Sequence, residues 1–273
     1  MLVVCLGDLL LDVVVRLEGP LVPGADSVAV TRAGAGGQAA NVAAWSAELG
    51  AESRFVGKRA SDAAGRVVDD ELRAYGVDLV GPVVEGRNGV VVSIVGPDGD
   101  RTMASDRGIA PDLSPGELEQ AWFAGADVVH LSGYSLLRTP IDTAALHAVE
   151  LGRANGARVS IDLSAWPRIR DFGPEAFHQL LERVGPNVVF GNEPEWDVLG
   201  NAYDVAGVAV IKRGARGITV RTADKVESVP AAAADVVDAT GAGDALAAGF
   251  LVGGAQLAVD AAARCVAKLG TMP

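Results

Sequence analysis

The stretch Asp238-Ala239-Thr240-Gly241-Ala242-Gly243-Asp244, followed by the apolar run Ala245–Leu251, is where reading this chain begins. The run after it suits a helix apart from Gly249. Glycines just before a helix leave backbone N–H groups pointing at one spot, and with the helix dipole they make an anion site. Gly241 and Gly243 allow a tight bend and let a phosphate approach the backbone. Asp244 has two readings. One is an acidic residue in a first helical turn, stabilised by the dipole. The other is a general base that takes a proton from an attacking hydroxyl. A carboxylate repels a phosphate bound beside it, so a pure binding loop would not need one. Within a Gly-Ala-Gly-Asp turn the base is preferred.

Two other glycine motifs do not fit. No GxxxxGK[ST] occurs in the chain, and Gly57-Lys58 lacks both the spaced upstream glycine and the hydroxyl residue after Lys. Gly241-Ala242-Gly243 lacks the third glycine of a dinucleotide fingerprint, and too little chain follows it to complete a βαβ unit with its ribose-binding acid. That argues against an NAD-type oxidoreductase.

Upstream, apolar runs bounded by Gly, Pro and Asp alternate with helical patterns. Leu2–Leu6, Ser53–Gly57, Val128–Leu131, Val159–Asp162, Val188–Phe190 and Val208–Ile211 read as strands. Helices are expected from about Gln38 to Leu49 with Gly50 as the stop, and over Asp62–Tyr75 with Ser61 as N-cap and Gly76 as the stop. Another should start at Ser114-Pro115-Gly116-Glu117. A further helix opens at Thr139-Pro140 and ends near Asn155-Gly156. The Ala-rich segment Ala231–Ala263 reads as close-packed helices. This rhythm predicts an α/β fold, a three-layer, doubly wound, mostly parallel sheet covered by helices on both faces. Two regions break it. Val13–Glu18 and Ser27–Arg32 are strand-like with no helix between them. Gly89–Val95, Pro97-Asp98-Gly99-Asp100 and Arg101–Ser105 read as a hairpin. These strands form either a small separate flap or an antiparallel edge of the main sheet.

Two more segments offer polar groups. Gly34-Ala35-Gly36-Gly37-Gln38-Ala39-Ala40-Asn41 is a glycine-rich turn feeding a helix, with Gln38 and Asn41 supplying amides suited to sugar hydroxyls. Alone it is as readily just a turn. Asn192-Glu193-Pro194-Glu195 follows a strand, where oxygen ligands suit a Mg²⁺ that keeps most of its waters. Spacing alone favours a capped, acid-first helix instead.

The chain has 273 residues, 49% hydrophobic, with a net charge of -12. It is long enough for a large core. It shows no basic stripe for nucleic acid. Cys5 and Cys265 stand far apart, outside any CxxC pattern, and imply no disulfide framework or zinc site. The N-terminal MLVVCLGDLLLDVVV has no basic lead and is broken by Asp8 and Asp12. No stretch of about 18 uncharged apolar residues occurs. Neither a signal peptide nor a membrane span is expected, and a cytoplasmic location follows.

Taken together, these segments resemble the ribokinase-like (PfkB) carbohydrate kinase family over essentially the whole chain. Residues 238–244 match its C-terminal signature and residues 34–41 its N-terminal one. Asn192-Glu193-Pro194-Glu195 matches its NxxE metal motif, and Gly7-Asp8 with Asp12 match its first strand and substrate-binding Asp. The resemblance implies a single kinase domain over residues 1–273, with a β-lid from about 13–32 and 88–105. It implies ATP-dependent phosphorylation of a hydroxyl on a sugar or sugar-like molecule. The alternatives within the fold are a nucleoside (adenosine-like) kinase and a non-catalytic sugar- or nucleotide-binding homologue.

The implied roles fall on particular residues. Asp244 is the base, and the N–H groups of Gly241, Ala242 and Gly243 form the anion hole. Asn192 and Glu195 position Mg²⁺ through water. Asp12, Gly37, Gln38 and Asn41 hold substrate. Lys212, Gly214 and Gly217, with Asn192, lie where the nucleotide binds. Asp238 and Thr240 fall where many members place a monovalent cation such as K⁺. Arg101 and Arg107 follow the lid hairpin; if they face the pocket they favour a carboxylate or phosphate on the substrate, and otherwise they are surface residues. Arg59 and Ala60 replace the apolar residue and glycine of the family's VGxVGxD run, and Gln38 stands where many sugar kinases carry Lys or Asn. The exposed strands of a lid also suggest a homodimer.

Overall fold

A computed structural model of the chain describes residues 1–96 and 101–273, with the side chain of Arg101 outside the description. In chain order the first strands are β1 (Leu2–Leu6), β2 (Leu10–Leu17), β3 (Ala29–Gly36), β4 (Glu52–Val56), β5 (Arg59–Ala60), β6 (Asp78–Val80), β7 (Val83–Val84), β8 (Asn88–Val95) and β9 (Arg101–Gly108). There follow β10 (Val128–Ser132), β11 (Arg158–Asp162), β12 (Val188–Asn192), β13 (Val208–Lys212), β14 (Ile218–Arg221) and β15 (Val226–Val229). The helices are α1 (Gln38–Glu48), α2 (Ala63–Ala74), α3 (Ile141–Ala154), α4 (Trp166–Phe172), α5 (Pro174–Val184), α6 (Glu193–Val198) and α7 (Ala242–Val266).

Among the described residues, nine strands form one sheet in the order β15-β14-β13-β12-β11-β10-β1-β4-β6. From β6 to β13 neighbours run parallel, and β14 and β15 add an antiparallel edge. The central strands are apolar without a break because both faces are covered. In β1, Val3 and Cys5 enter the core beneath α1 and α7, while Val4 and Leu6 enter the one beneath α3 and α5. All four are fully buried. Ala39, Ala40, Ala43 and Ala44 of α1 are also fully buried, as are Ala245, Ala247 and Ala248 of α7. Small side chains let these two helices lie close. α7 is long and apolar enough to cross a bilayer, and half of its most apolar stretch is buried within the protein.

The strands that broke the rhythm form a second, four-stranded sheet, β3-β2-β8-β9, separate from the first. This decides between a flap and an edge. Its strands run longer than expected. β2 begins at Leu10 and pairs with β3 as far as Gly36, opposite Leu10; β8 pairs with β9 from Asn88↔Gly108 to Val95↔Arg101. The turn assigned to Pro97-Asp98-Gly99-Asp100 lies outside the described residues. From β3 the chain enters α1 through Gly37 at φ 100°, where a Cβ would come within 2.4 Å of the Asp8 carbonyl oxygen. Only glycine fits there.

Three local expectations need correction. The N-cap of α2 is Asp62, whose Oδ1 accepts from the Gly65 N–H at 2.8 Å, rather than Ser61. The capping box at Ser114 and Glu117 forms but starts only one 3-10 turn, Pro115–Glu117. Glu117 also pairs with Lys58, which binds the turn to a distant loop rather than to a continuing helix. In the Ala-rich segment, helix begins only at Ala242; residues 231–241 are irregular, and Gly254 at φ 82° breaks α7 in two.

Candidate active site

The carboxyl ends of parallel strands are where open α/β sheets hold ligands. Here the ends of β1, β10, β11 and β13 converge on a cavity of about 390 Å³, lined by Asp8, Ser132, Asp162 and Lys212. The second sheet covers it with Leu10 and Asp12 of β2, Val91 of β8, and Met103, Ser105 and Arg107 of β9. The two glycine-led helix starts contribute Gly37, Gln38 and Asn41 from one and Thr240, Gly241 and Asp244 from the other, and Tyr134, Ser164, Glu195 and Thr271 complete the wall.

Asp244 lies in the first turn of α7. Gly241 precedes that helix in the left-handed region at φ 79°. A Cβ there would stand 2.9 Å from Thr271 Cα, so the turn can be this tight only with glycine. Asn41 Nδ2 donates to Asp244 Oδ2 at 2.7 Å, and Thr271 Oγ1 donates to Asn41 Oδ1 at 3.0 Å. This chain of bonds fixes the amide's orientation, and Asp244 itself lines the cavity. Burial pushes the Asp244 pKa up to about 7; Asp162 and Asp12 add to the rise, while the Asn41 hydrogen bond and Lys212 oppose it.

Lys212 Nζ donates to both oxygens of Asp162, at 3.0 and 2.8 Å. Burial pulls its pKa down, but Asp162 and Glu195 more than offset this and hold it above the usual lysine value. The ammonium also stands at the start of α7: a Cβ on Gly243 would lie 3.2 Å from it. A lysine and a helix N-terminus at one point both favour an anion. Of the three amides assigned to an anion hole, that of Ala242 makes a long 3.4 Å bond to the Ala239 carbonyl.

The acidic motif after β12 forms a complete capping box. Asn192 Oδ1 accepts from the Glu195 N–H at 2.9 Å, and Glu195 accepts from the Asn192 N–H and Nδ2 at 2.8 and 2.9 Å. Glu195 still lines the cavity, whereas Asn192 does not. Burial, with Asp162 beside it, raises the Glu195 pKa in spite of Lys212 and Asn192. Buried carboxylates that resist ionising together fit a divalent cation, which would supply the missing positive charge.

Asp238 ties loops together. Its Oδ1 accepts from the Thr240 N–H at 2.9 Å and from Thr240 Oγ1 at 2.5 Å, and its Oδ2 accepts from the Gly270 N–H at 3.1 Å. Gly214 and Gly217 lie in the turn between β13 and β14, outside this cavity. Arg107 faces the cavity, but its Nε and Nη2 donate to the two oxygens of Asp8 at 2.5 and 2.9 Å. Gln38 Oε1 accepts from Ser164 Oγ at 2.6 Å.

The pfkB family carbohydrate kinase pattern matches residues 1–272. The chain is 34% identical to the ATP-dependent ribose-1-phosphate kinase of Halopiger xanaduensis (strain DSM 18323 / JCM 14033 / SH-6), over 88% of this chain and 80% of that one. This chain belongs to the pfkB family of carbohydrate kinases. Its fold matches the adenosine kinase of Sinorhizobium meliloti at a TM-score of 0.88, with 24% identity over 99% of this chain and 95% of that one. It also matches a putative ribokinase II from E. coli in complex with ATP and Mg²⁺ at 0.82, with 22% identity over 99% and 94%.

In this pfkB-family kinase, the sequence reading passed over Asp162 and Ser164 and gave Asp8 no role of its own. Asp162 ends an apolar strand, and strand-end polar residues are the signal that could have found it. Ser164 is one of two non-glycine residues with positive φ among those described, at 70°, and it bonds Gln38; nothing local in the sequence marks it.

The raised pKa of Asp244 has a stability consequence. A carboxyl that binds its proton more tightly when folded adds stability below its unfolded pKa, near 4, and this is lost as pH rises to about 7. Asp244→Asn should therefore melt at a higher temperature than wild type at pH 8, with the gap closing toward pH 4, as read by calorimetric melts across that range.

Proposed function

We propose that this protein transfers the γ-phosphoryl group of ATP to a hydroxyl of a sugar or nucleoside, with Asp244 as the general base. The observation that carries this reading is Asp244 itself. It is a carboxylate facing a covered cavity at a helix N-terminus, with its pKa near 7 and its orientation fixed by Asn41. A base poised near the working pH is efficient at taking the hydroxyl proton. The helix start, with Gly241 and Gly243 and the adjacent Lys212, would hold the transferring phosphoryl group. Phosphoryl transfer asks the protein mainly for positioning and charge neutralisation.

Mg²⁺ would be held through water by Glu195, with Asn192 fixing the Glu195 carboxylate; when bound it neutralises phosphate charge. Asp12, Gly37, Gln38 and Asn41 would hold the acceptor. Gly214 and Gly217 would serve the far end of the nucleotide. The proposed cofactors are ATP and Mg²⁺, and Asp238 and Thr240, which bond to each other and to Gly270, would be the place for a monovalent cation such as K⁺. The second sheet would be the lid of a single kinase domain, excluding the water that would otherwise accept the phosphoryl group. The free, buried Cys5 and Cys265 accord with a reducing cytoplasm.

Asp244→Asn should lower turnover by about 10²–10⁴ while ATP binding persists; an unchanged rate would remove the base assignment. Because the base must be ionised, kcat/KM should rise with pH through about 7. The Asn41 bond favours the ionised form, so Asn41→Ala should move that acid limb to higher pH. A limb that stays in place would show that another group titrates.

Val28, Val30 and Met103 expose 69%, 54% and 48% of their surface on or beside the second sheet. Pairing of two lids through this face would bury them. Light scattering should give a dimer mass, and a monomer at all concentrations would exclude it.

A further inference from the structure

The charges lining the cavity bear on which acceptor it takes. Among the described lining residues the cations are Lys212 and Arg107, and the carboxylates are Asp8, Asp12, Asp162, Glu195 and Asp244. Both cations already have two-pronged carboxylate partners. Lys212 bridges both oxygens of Asp162 at the nucleotide side. Arg107, reaching in from β9, presents Nε and Nη2 to both oxygens of Asp8, and its Nη1 donates to the Tyr134 carbonyl at 3.2 Å.

The Nε–Nη2 edge of the guanidinium, a fork that could otherwise grip a phosphate or carboxylate, is therefore occupied by the protein's own Asp8, and Nη1 is turned to the Tyr134 carbonyl. The pair is nearly dry, with side-chain exposures of 17% and 9%. An anionic substituent on that edge would have to displace Asp8 and leave a desolvated carboxylate without its partner, and one held beside it would face the Asp8 charge at close range; both are unfavourable. A hydroxyl avoids that conflict, since it donates to carboxylate lone pairs without breaking the pair. Arg32, another cation near the cavity among the described residues, does not substitute. Arg32 donates to the Leu269 carbonyl and lines only an adjoining cleft of about 20 Å³, room for about one water.

We propose that the Arg107–Asp8 pair makes the acceptor site selective for uncharged polyhydroxy substrates, free sugars or nucleosides, and turns away their phosphorylated or carboxylated counterparts. This rests on the kinase reading and narrows its substrate class. Selectivity here comes from a repulsive element as well as an attractive one. It also gives Arg107 the role opposite to that of an anion binder.

The test uses matched pairs: fructose and fructose 6-phosphate, ribose and ribose 5-phosphate, adenosine and AMP. Affinity is measured by calorimetry without ATP, and ADP release is measured with MgATP. In wild type the uncharged member of the accepted pair should bind at least about tenfold more tightly. Asp8→Asn frees the Arg107 fork and should shrink or invert that ratio. Arg107→Gln leaves Asp8 uncompensated and should widen it. Each ratio is internal to one protein, so a loss of folded fraction does not move it. Tighter wild-type binding of a phosphorylated member, no binding of any uncharged member, or both variants shifting the ratio the same way would each overturn the proposal. Selective binding of an uncharged member without ADP release would instead retain the selectivity and remove the kinase reading.

Discussion

The 2.7 Å hydrogen bond from Asn41 to Asp244 joins two helices that both start at glycine turns, one after the second sheet and one near the end of the chain. Much of the site depends on that junction. It holds the Asp244 carboxylate by one oxygen, and it partly offsets the cost of a buried carboxylate. Thr271 holds the Asn41 amide in place, so the last residues of the chain take part as well. The alanines of α1 and α7 let the two helix starts come near enough for the bond, which is why those faces carry small residues where larger ones would bury more area.

A second constraint is charge. The cavity gathers five carboxylates and two cations from the described residues, and burial keeps these groups from being screened by water. The result is a site in which each described cation already faces a carboxylate. Asp162 fixes Lys212, and Asp8 fixes Arg107. Burial is the main reason the Glu195 and Asp244 pKa values are raised, and Asp162 beside them adds to the rise. The same burial costs the folded protein stability as pH rises toward 7.

Several motifs have two uses in this chain. Asn192 and Glu195 cap α6 completely, which is the reading spacing favours, yet Glu195 also lines the cavity. The capping bonds orient the carboxylate and do not use all of its lone pairs. Asp238 is different. Its oxygens accept from Thr240 and Gly270, and these bonds shape the loop that leads into Gly241.

The sequence by itself determined the parallel sheet, the two glycine-led helix starts and Asp244 as the residue to watch. Each is a local matter. An apolar run, a Gly-Ala-Gly-Asp turn or an Asn-x-x-Glu cap is written within a few residues and obeys backbone sterics, capping and periodicity. Tertiary structure decided what Asp244, Lys212 and Arg107 face. Asp8 and Arg107 meet across 99 positions, Lys212 and Asp162 across 50, and Asn41 and Asp244 across 203. No local rule pairs them, because which strand ends lie side by side is set by strand order. The arginine that reads as an anion-binding group in sequence is, once folded, already holding an anion of the protein's own.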